Sequence, residues 1–171
     1  MSTLSDLDSL LRALQDTEAA TALREDASLF PWIESVHVLA LSVVLGSVAI
    51  IELRLLGLAG RKRTVSRVLA DLLPCAWISF AVALVSGFAL FASNAITYAH
   101  NTYFLSKLAL LVGVGLNALF FHAAVERSIQ RWDTAAQTPL PARLSGLVSL
   151  AGWLGVVACG RWVGFTLIPV H

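Results

Sequence analysis

The sequence is poor in cysteine, methionine and charge. The two cysteines, Cys75 and Cys159, lie in apolar runs without a Cys-x-x-Cys pair or a nearby histidine cluster, which argues against a disulfide framework, a zinc site and c-type haem attachment. The single methionine is Met1, so a soft metal such as copper finds almost no sulfur ligands. Charged residues make up 13% of the chain and the net charge is +1, too near neutral to indicate a nucleic-acid partner.

The start of the chain lacks the basic and then apolar pattern of a cleaved signal peptide. Residues 1–29 instead carry six acidic residues against two arginines, with leucines at helical spacing. This pattern predicts a short amphipathic helix that lies on the membrane surface or caps the helices behind it. We therefore divide the chain into an acidic N-terminal segment, 1–29, and a membrane domain, 30–171.

Apolar residues, by contrast, are abundant. They make up 57% of the chain, and the mean hydropathy is +0.77, a value outside the range of ordinary soluble domains. Four runs are long enough to cross the roughly 30 Å hydrocarbon core of a bilayer as helices. The second run opens at Pro74, a residue that suits the first turn of a helix. We predict an all-α integral membrane protein, an antiparallel four-helix bundle with spans at about 31–58, 72–94, 104–126 and 144–168.

The loops between the apolar runs differ in charge. The connections after the first and third runs are rich in arginine and lysine, and positive residues stay on the cytoplasmic side of a membrane. This asymmetry predicts that both connections face the cytoplasm of a bacterium. The N-terminus, the loop at 95–103 and the C-terminus are then outside the inner membrane.

Five polar residues are predicted in or beside the outer half of this bundle. From the rise of about 1.5 Å per helical residue, His37 lies about 9 Å and Arg161 about 12 Å below the outer edge. Lys107 enters from the same side, His100 lies in the loop above, and Glu34 precedes His37 by one helical turn. Because ionisable groups inside a membrane are costly, they are usually kept for function.

The nitrogen groups in this set suit the axial positions of a haem b held between helices. His37 would be one ligand, and Lys107 or His100 the other, with His122 the less favoured choice. A lysine can ligate iron only as the neutral amine, which burial favours. Arg161 could neutralise a haem propionate.

The same polar residues also allow an interpretation without a cofactor. Lys107 could extend its ammonium group to the outer headgroups, and His100 could be a solvated loop residue. Arg161 could form a salt bridge with Glu34, and His122 could pair with Glu126. The chain would then be a membrane scaffold or a small-solute permease whose polar groups satisfy one another.

Two spans carry a resemblance to a known family. The first, SVHVLALSVVLGSVAIIELRLLG, has a histidine near its entrance, a mid-helix glycine and an arginine near its exit, at His37, Gly46 and Arg54. The third, YFLSKLALLVGVGLNALFFH, opens with aromatics followed by Lys107 and a leucine-rich run. Both resemble the small haem-containing membrane protoporphyrinogen oxidases of bacteria and, more distantly, the copper-resistance D-type membrane proteins. The resemblance implies His37 and Lys107 as axial ligands.

Together these observations predict a b-type haem redox protein of the inner membrane. It would carry out electron transfer or quinone-linked oxidation, and the resemblance implies the narrower activity, oxidation of protoporphyrinogen. The predicted partners are the lipid bilayer and a quinone or porphyrin. A homo-oligomer could form through glycine faces such as that of Gly160 and Gly164.

Overall fold

A computed structural model describes residues 2–59, 63–133 and 138–166, with the side chains of residues 2–5 and of Glu126 left out. All regular elements in these ranges are helical. A π-helical turn, Phe121–Val125, and a 3-10 turn, Glu126–Ser128, lie between α6 and α7. The α-helices are α1 (Ser2–Gln15), α2 (Glu18–Glu25), α3 (Leu29–Leu55), α4 (Val65–Ser93), α5 (Ala95–Ala99), α6 (Thr102–Phe120), α7 (Ile129–Trp132) and α8 (Leu140–Thr166).

Four of these helices are long and apolar enough to cross a membrane: α3, α4, α8 and α6 together with its π-helical turn. The prediction of a helical protein with four apolar helices long enough to cross a membrane is therefore confirmed. The segment after Thr166, including the predicted end of the fourth span and the C-terminus, lies outside the described residues.

The helices of the second and fourth spans, α4 and α8, begin earlier than the apolar runs predict. The expectation that the second span opens at Pro74 is wrong, because α4 begins at Val65 and Pro74 lies inside it. The extra turns form because Val65 and Val68 are buried, and because the carboxylate of Asp133 accepts hydrogen bonds from the backbone N–H and the hydroxyl of Ser66. This carboxylate caps the helix N-terminus from a distant part of the chain.

The long helices pack in two pairs. α3 packs along α4, and α6 packs along α8, while α3 and α8 also contact each other. His37, early in α3, meets Ser86, late in α4. α4 and α6 lack such continuous contact and meet where the rings of Phe91 and Phe104 stack, 5.4 Å between centroids. The two helix pairs are thus joined mainly through α3 and α8.

The interior alternates between polar and apolar layers. We call the end at which α3 begins the His37 end and the opposite end the Glu52 end. An upper apolar cluster lies between them and consists of Val44, Val114, Trp153 and Val156. A larger lower apolar cluster closes the Glu52 end and consists of Ile51, Leu55, Val65, Val68, Leu69, Phe121, Val125, Ile129, Trp132 and Ala142.

The N-terminal helices fold against the His37 end. α1 contacts α4 and α5, and α2 contacts α3 and α4. The guanidinium of Arg24 donates to the backbone carbonyl of Ser93 at 3.2 Å, and the side chain of Gln15 accepts from the backbone N–H of Ile96 at 3.3 Å. The start of α2 is capped by Thr17, whose hydroxyl accepts from the N–H of Ala20. The acidic segment therefore lies beside the predicted site.

Candidate haem-binding site

The imidazole of His37 is held in one orientation by α4. Its Nδ1 lies 3.1 Å from Oγ of Ser86, and that Oγ lies 2.7 Å from the carbonyl of Val82. When the Ser86 hydroxyl donates its proton to the Val82 carbonyl, its oxygen accepts from an Nδ1–H of His37, and Nε2 then carries a lone pair. Such a second hydrogen bond is typical of histidines that ligate a metal.

Gly87 makes room for this ring. A Cβ atom added at Gly87 would lie 2.8 Å from Cε1 and 3.3 Å from Nδ1 of His37. The imidazole therefore packs directly on the backbone of α4, and only glycine permits that approach. Ser86 and Gly87 together position the ring, one by a hydrogen bond and the other by the absence of a side chain.

Lys107 reaches the same level from the other helix pair. It precedes Leu110 by three residues and Leu111 by four, so all three share one face of α6. Both leucines pack on the upper apolar cluster, which makes this the interior face. Its Cδ lies 3.9 Å from the position of a Cβ at Gly160 of α8, and its charge interacts with His37 across the interior. A glycine thus lies beside each side chain of the predicted ligand pair, Gly87 beside His37 and Gly160 beside Lys107.

Arg161 and Glu34 are placed differently from the ligand pair. Both side chains are exposed, and the Arg161 guanidinium lies 4.8 Å from the ring centroid of Phe165. Glu34 faces Tyr98 of α5, and burial together with the Glu34 carboxylate raises the pKa of that tyrosine. Among the described residues no ion pair joins Glu34 to Arg161. Arg161 follows Gly160 directly, so its backbone is at the level of Lys107.

His100 lies outside the helix interior. It ends α5 in an exposed position, where Nδ1 is 2.9 Å from the carbonyl of Ile96 and Nε2 is 3.7 Å from a carboxylate oxygen of Asp8. Both ring nitrogens therefore interact with α5 and α1. The structure brings Lys107, rather than His100, into the layer of His37.

A family comparison covers this whole helical region. A profile described as a family of unknown function (DUF6644) matches residues 28–166, which include all four long helices. The chain belongs to the DUF6644 family. No curated protein matches the chain, and no solved structure matches it. The match leaves the acidic N-terminal segment largely outside the DUF6644 region.

The remaining polar residues of the DUF6644 region lie towards the Glu52 end. Nδ1 of His122 is 2.8 Å from the carbonyl of Ala118, one turn earlier. The predicted pairing of His122 with Glu126 lies outside the described residues, because the Glu126 side chain is not among them. Asn117 bridges α6 and α8, donating from Nδ2 to the carbonyl of Ser145 at 3.0 Å and accepting from its hydroxyl at 3.2 Å.

Sequence reasoning missed two groups in this DUF6644 chain. Ser86 and Gly87 position His37, but their signal in the sequence is only a small-residue face on the second span. Glu52 is buried inside the protein, although the sequence places it in the first apolar run beside Arg54. Its burial could have been predicted from its position next to Ile51, on the face of α3 that also carries Val44 and Ser47.

The donor set of the DUF6644 chain suits a haem better than a bare metal ion. Within the described ranges no three His, Cys, Asp or Glu side chains group in a way that could hold a metal ion. A haem iron needs only two axial ligands from the protein, since the macrocycle supplies the other four. His37 and Lys107, from opposite helix pairs, are the two candidate nitrogen donors for these axial positions.

Proposed function

We propose that this DUF6644 protein is a membrane-embedded b-type haem protein that carries out electron transfer or quinone-linked oxidation. One observation carries the proposal: Nδ1 of His37 lies 3.1 Å from the Ser86 hydroxyl, and with the proton on Nδ1 the Nε2 lone pair would be available to iron. A hydrogen bond to the second ring nitrogen is typical of histidines that ligate a metal.

His37 and Lys107 would be the residues that hold the iron, and Arg161 the residue that neutralises a propionate at the His37 end. A bound haem would supply one-electron redox chemistry. The protein itself would make three contributions. Ser86 would fix the imidazole tautomer, and the apolar surrounding would favour the neutral lysine. The aromatic side chains of Phe91, Tyr98 and Phe104 would limit water near the site.

The proposal includes the topology predicted from charge. The four long helices would form an antiparallel bundle across a bacterial inner membrane, with both termini on the outside and the arginine-rich loops in the cytoplasm. α1 would be an amphipathic helix on the outer surface, next to the site. This setting favours a quinone or a porphyrin as the reduced substrate or the electron partner. The resemblance to the membrane protoporphyrinogen oxidases implies a narrower activity, the oxidation of protoporphyrinogen.

A cofactor-free scaffold or permease has less support. That alternative requires the intramembrane charges to satisfy one another, with Glu34 paired to Arg161 as its main example. In the described residues these two side chains are not paired and both are exposed. No specific observation therefore favours this alternative over a haem protein.

An absorption spectrum of detergent-purified protein, expressed with added haem precursor, tests the proposal. We expect a Soret band in the wild type, and loss or a clear shift of that band in His37→Ala and Lys107→Met. His122→Ala is the matched control, because it removes a histidine from the helical region at a distance from the His37 layer, and its spectrum should equal that of the wild type.

Two outcomes would contradict the assignment. Absence of a Soret band in folded wild-type protein would remove the haem proposal. A spectrum that changes in His100→Ala and not in Lys107→Met would make His100 the second ligand instead.

A further inference from the structure

A second polar layer lies between the two apolar clusters, away from His37. Its centre is Glu52 of α3, whose side chain is only 8% exposed. The carboxyl faces α8, where a Cβ added at Gly146 would lie 2.9 Å from Oε2, and where the hydroxyl of Ser149 interacts with it. We call Glu52, Gly146, Ser149, Asn117 and Ser145 the Glu52 layer.

One oxygen of this carboxyl has no partner. Among the described residues, Oε2 of Glu52 is the one fully buried side-chain nitrogen or oxygen without a hydrogen bond. An ionised carboxylate left in that state costs several kcal/mol, far more than a neutral carboxylic acid. The glycine at 146 admits the carboxyl into the helix contact but supplies no side-chain donor to it.

The charged groups around this layer do not neutralise Glu52. On α3, Arg54 donates from Nε to the carbonyl of Arg63 at 2.8 Å and lies near Asp133. On α6, Asn117 is engaged with Ser145, and His122 in the π-helical turn is bonded to Ala118. On α8 the contacting residues are Gly146 and Ser149, and on α4 the charged residues Arg67 and Asp71 are exposed. No ion pair in the described part of the chain includes Glu52.

We propose that Glu52 is a proton-binding site within the membrane-spanning part of the chain, where its carboxylic acid releases one proton and the resulting carboxylate takes it up again. On release, the O–H bond of the acid breaks, its electron pair stays on the carboxylate, and the proton passes to a water molecule that enters the layer. The Ser149 hydroxyl is the neighbouring donor that stabilises the transient carboxylate. This site is independent of haem binding at His37.

Carbodiimide labelling tests this proposal directly. N,N′-dicyclohexylcarbodiimide enters membranes and adds to protonated carboxyl groups, taking the proton on nitrogen while the carboxyl oxygen bonds to its central carbon. We expect labelling of Glu52 in purified protein, located by peptide mass spectrometry, that decreases as the pH rises. The Glu52→Gln variant, which lacks the carboxyl group, is the control and should lose this label.

Sodium distinguishes a proton site from a metal-cation site with the same oxygens. At constant pH, labelling of Glu52 should be the same in sodium and choline salts. Protection by sodium would overturn the proposal and make the Glu52 layer a sodium site.

Infrared spectroscopy tests the same proposal if the carbodiimide does not reach Glu52. The wild type should show the carbonyl stretch of a protonated carboxylic acid, and Glu52→Gln, a nearly isosteric change, should lack it while Glu34→Gln keeps it. A folded Glu52→Gln variant with an unchanged carboxylic-acid band would overturn the proposal.

Discussion

At the scale of single residues, the site depends on the contact between His37 and two small neighbours on α4. The spacing of polar residues in the sequence is enough to predict His37 and Arg161 at one level and Lys107 on the same side, because depth follows from the helical rise. It is not enough to identify Ser86 and Gly87 as partners, since that requires the rotation of α4 about its axis relative to α3. The pairing of distant helix faces is a property of packing, which a single sequence does not display.

The hydrogen bond from His37 to Ser86 leads to a prediction about affinity. Ser86→Ala removes the acceptor of the Nδ1 proton, so the imidazole is less basic and less well oriented. We expect haem affinity to decrease by about 10- to 100-fold, measured by haem titration of apoprotein. Ser42→Ala is the control, because the Ser42 hydroxyl makes the same type of bond to its own helix, to Val38, on an exposed face. Equal affinities for the two variants would exclude a positioning role for Ser86.

The close approach at Gly87 leads to a second prediction. Gly87→Ala places a Cβ 2.8 Å from Cε1 of His37, so the ring must move. Overpacking of this kind costs about 1–3 kcal/mol, and we expect a lower haem content per protein together with a shifted Soret band. Gly46→Ala is the control on α3, where a Cβ would meet no atom within 4 Å. If the two variants retain the same haem content, the His37 ring is not fixed by α4.

At the scale of elements, hydropathy locates the four long helices but not their ends. The run that begins at Leu72 predicts the apolar part of α4 and misses its first turns, which are amphipathic and contain Arg67 and Asp71. Those turns are helical because Val65 and Val68 join the lower apolar cluster, and because Asp133 caps them. A cap supplied from a residue 67 positions away leaves no local signal.

This cap leads to a prediction about pH. Burial is the largest single effect and raises the pKa of Asp133, but the hydrogen bonds from Ser66 and Val65 and the charge of Arg54 together outweigh it, so the pKa lies below its ordinary value. A carboxylate with a lowered pKa stabilises the fold at pH values above its unfolded pKa. That contribution is lost as the pH falls through the lower, folded value.

We therefore expect Asp133→Asn to reduce the free energy of unfolding by about 1 kcal/mol at pH 7. The difference from the wild type should disappear at a pH below the folded pKa. Thermal unfolding in detergent across a pH series measures this. Asp71→Asn is the control, because Asp71 forms only an exposed ion pair with Arg63 at 3.8 Å. A destabilisation by Asp133→Asn that does not depend on pH would contradict the capping role.

At the scale of the whole molecule, the interior consists of two polar layers separated by an apolar one. The His37 layer was predictable, because a histidine and a lysine inside apolar runs are rare and conspicuous. The Glu52 layer was not, because burial of Glu52 depends on α8 lying against the flank of α3, and because Gly146 and Ser149 are ordinary residues in sequence. Glu34 and Glu52 lie on the same helix, yet only Glu52 is covered by a neighbouring helix.

The most direct test of the central claim is the near-infrared magnetic circular dichroism of the ferric protein, because its charge-transfer band reports the two axial ligands of a low-spin haem. Ligation by His37 and Lys107 predicts a band at the position typical of a histidine and amine pair. In Lys107→Met we expect that band to be replaced by one of a different energy. A band at the bis-histidine position in the wild type, or no low-spin haem at all, would contradict the account.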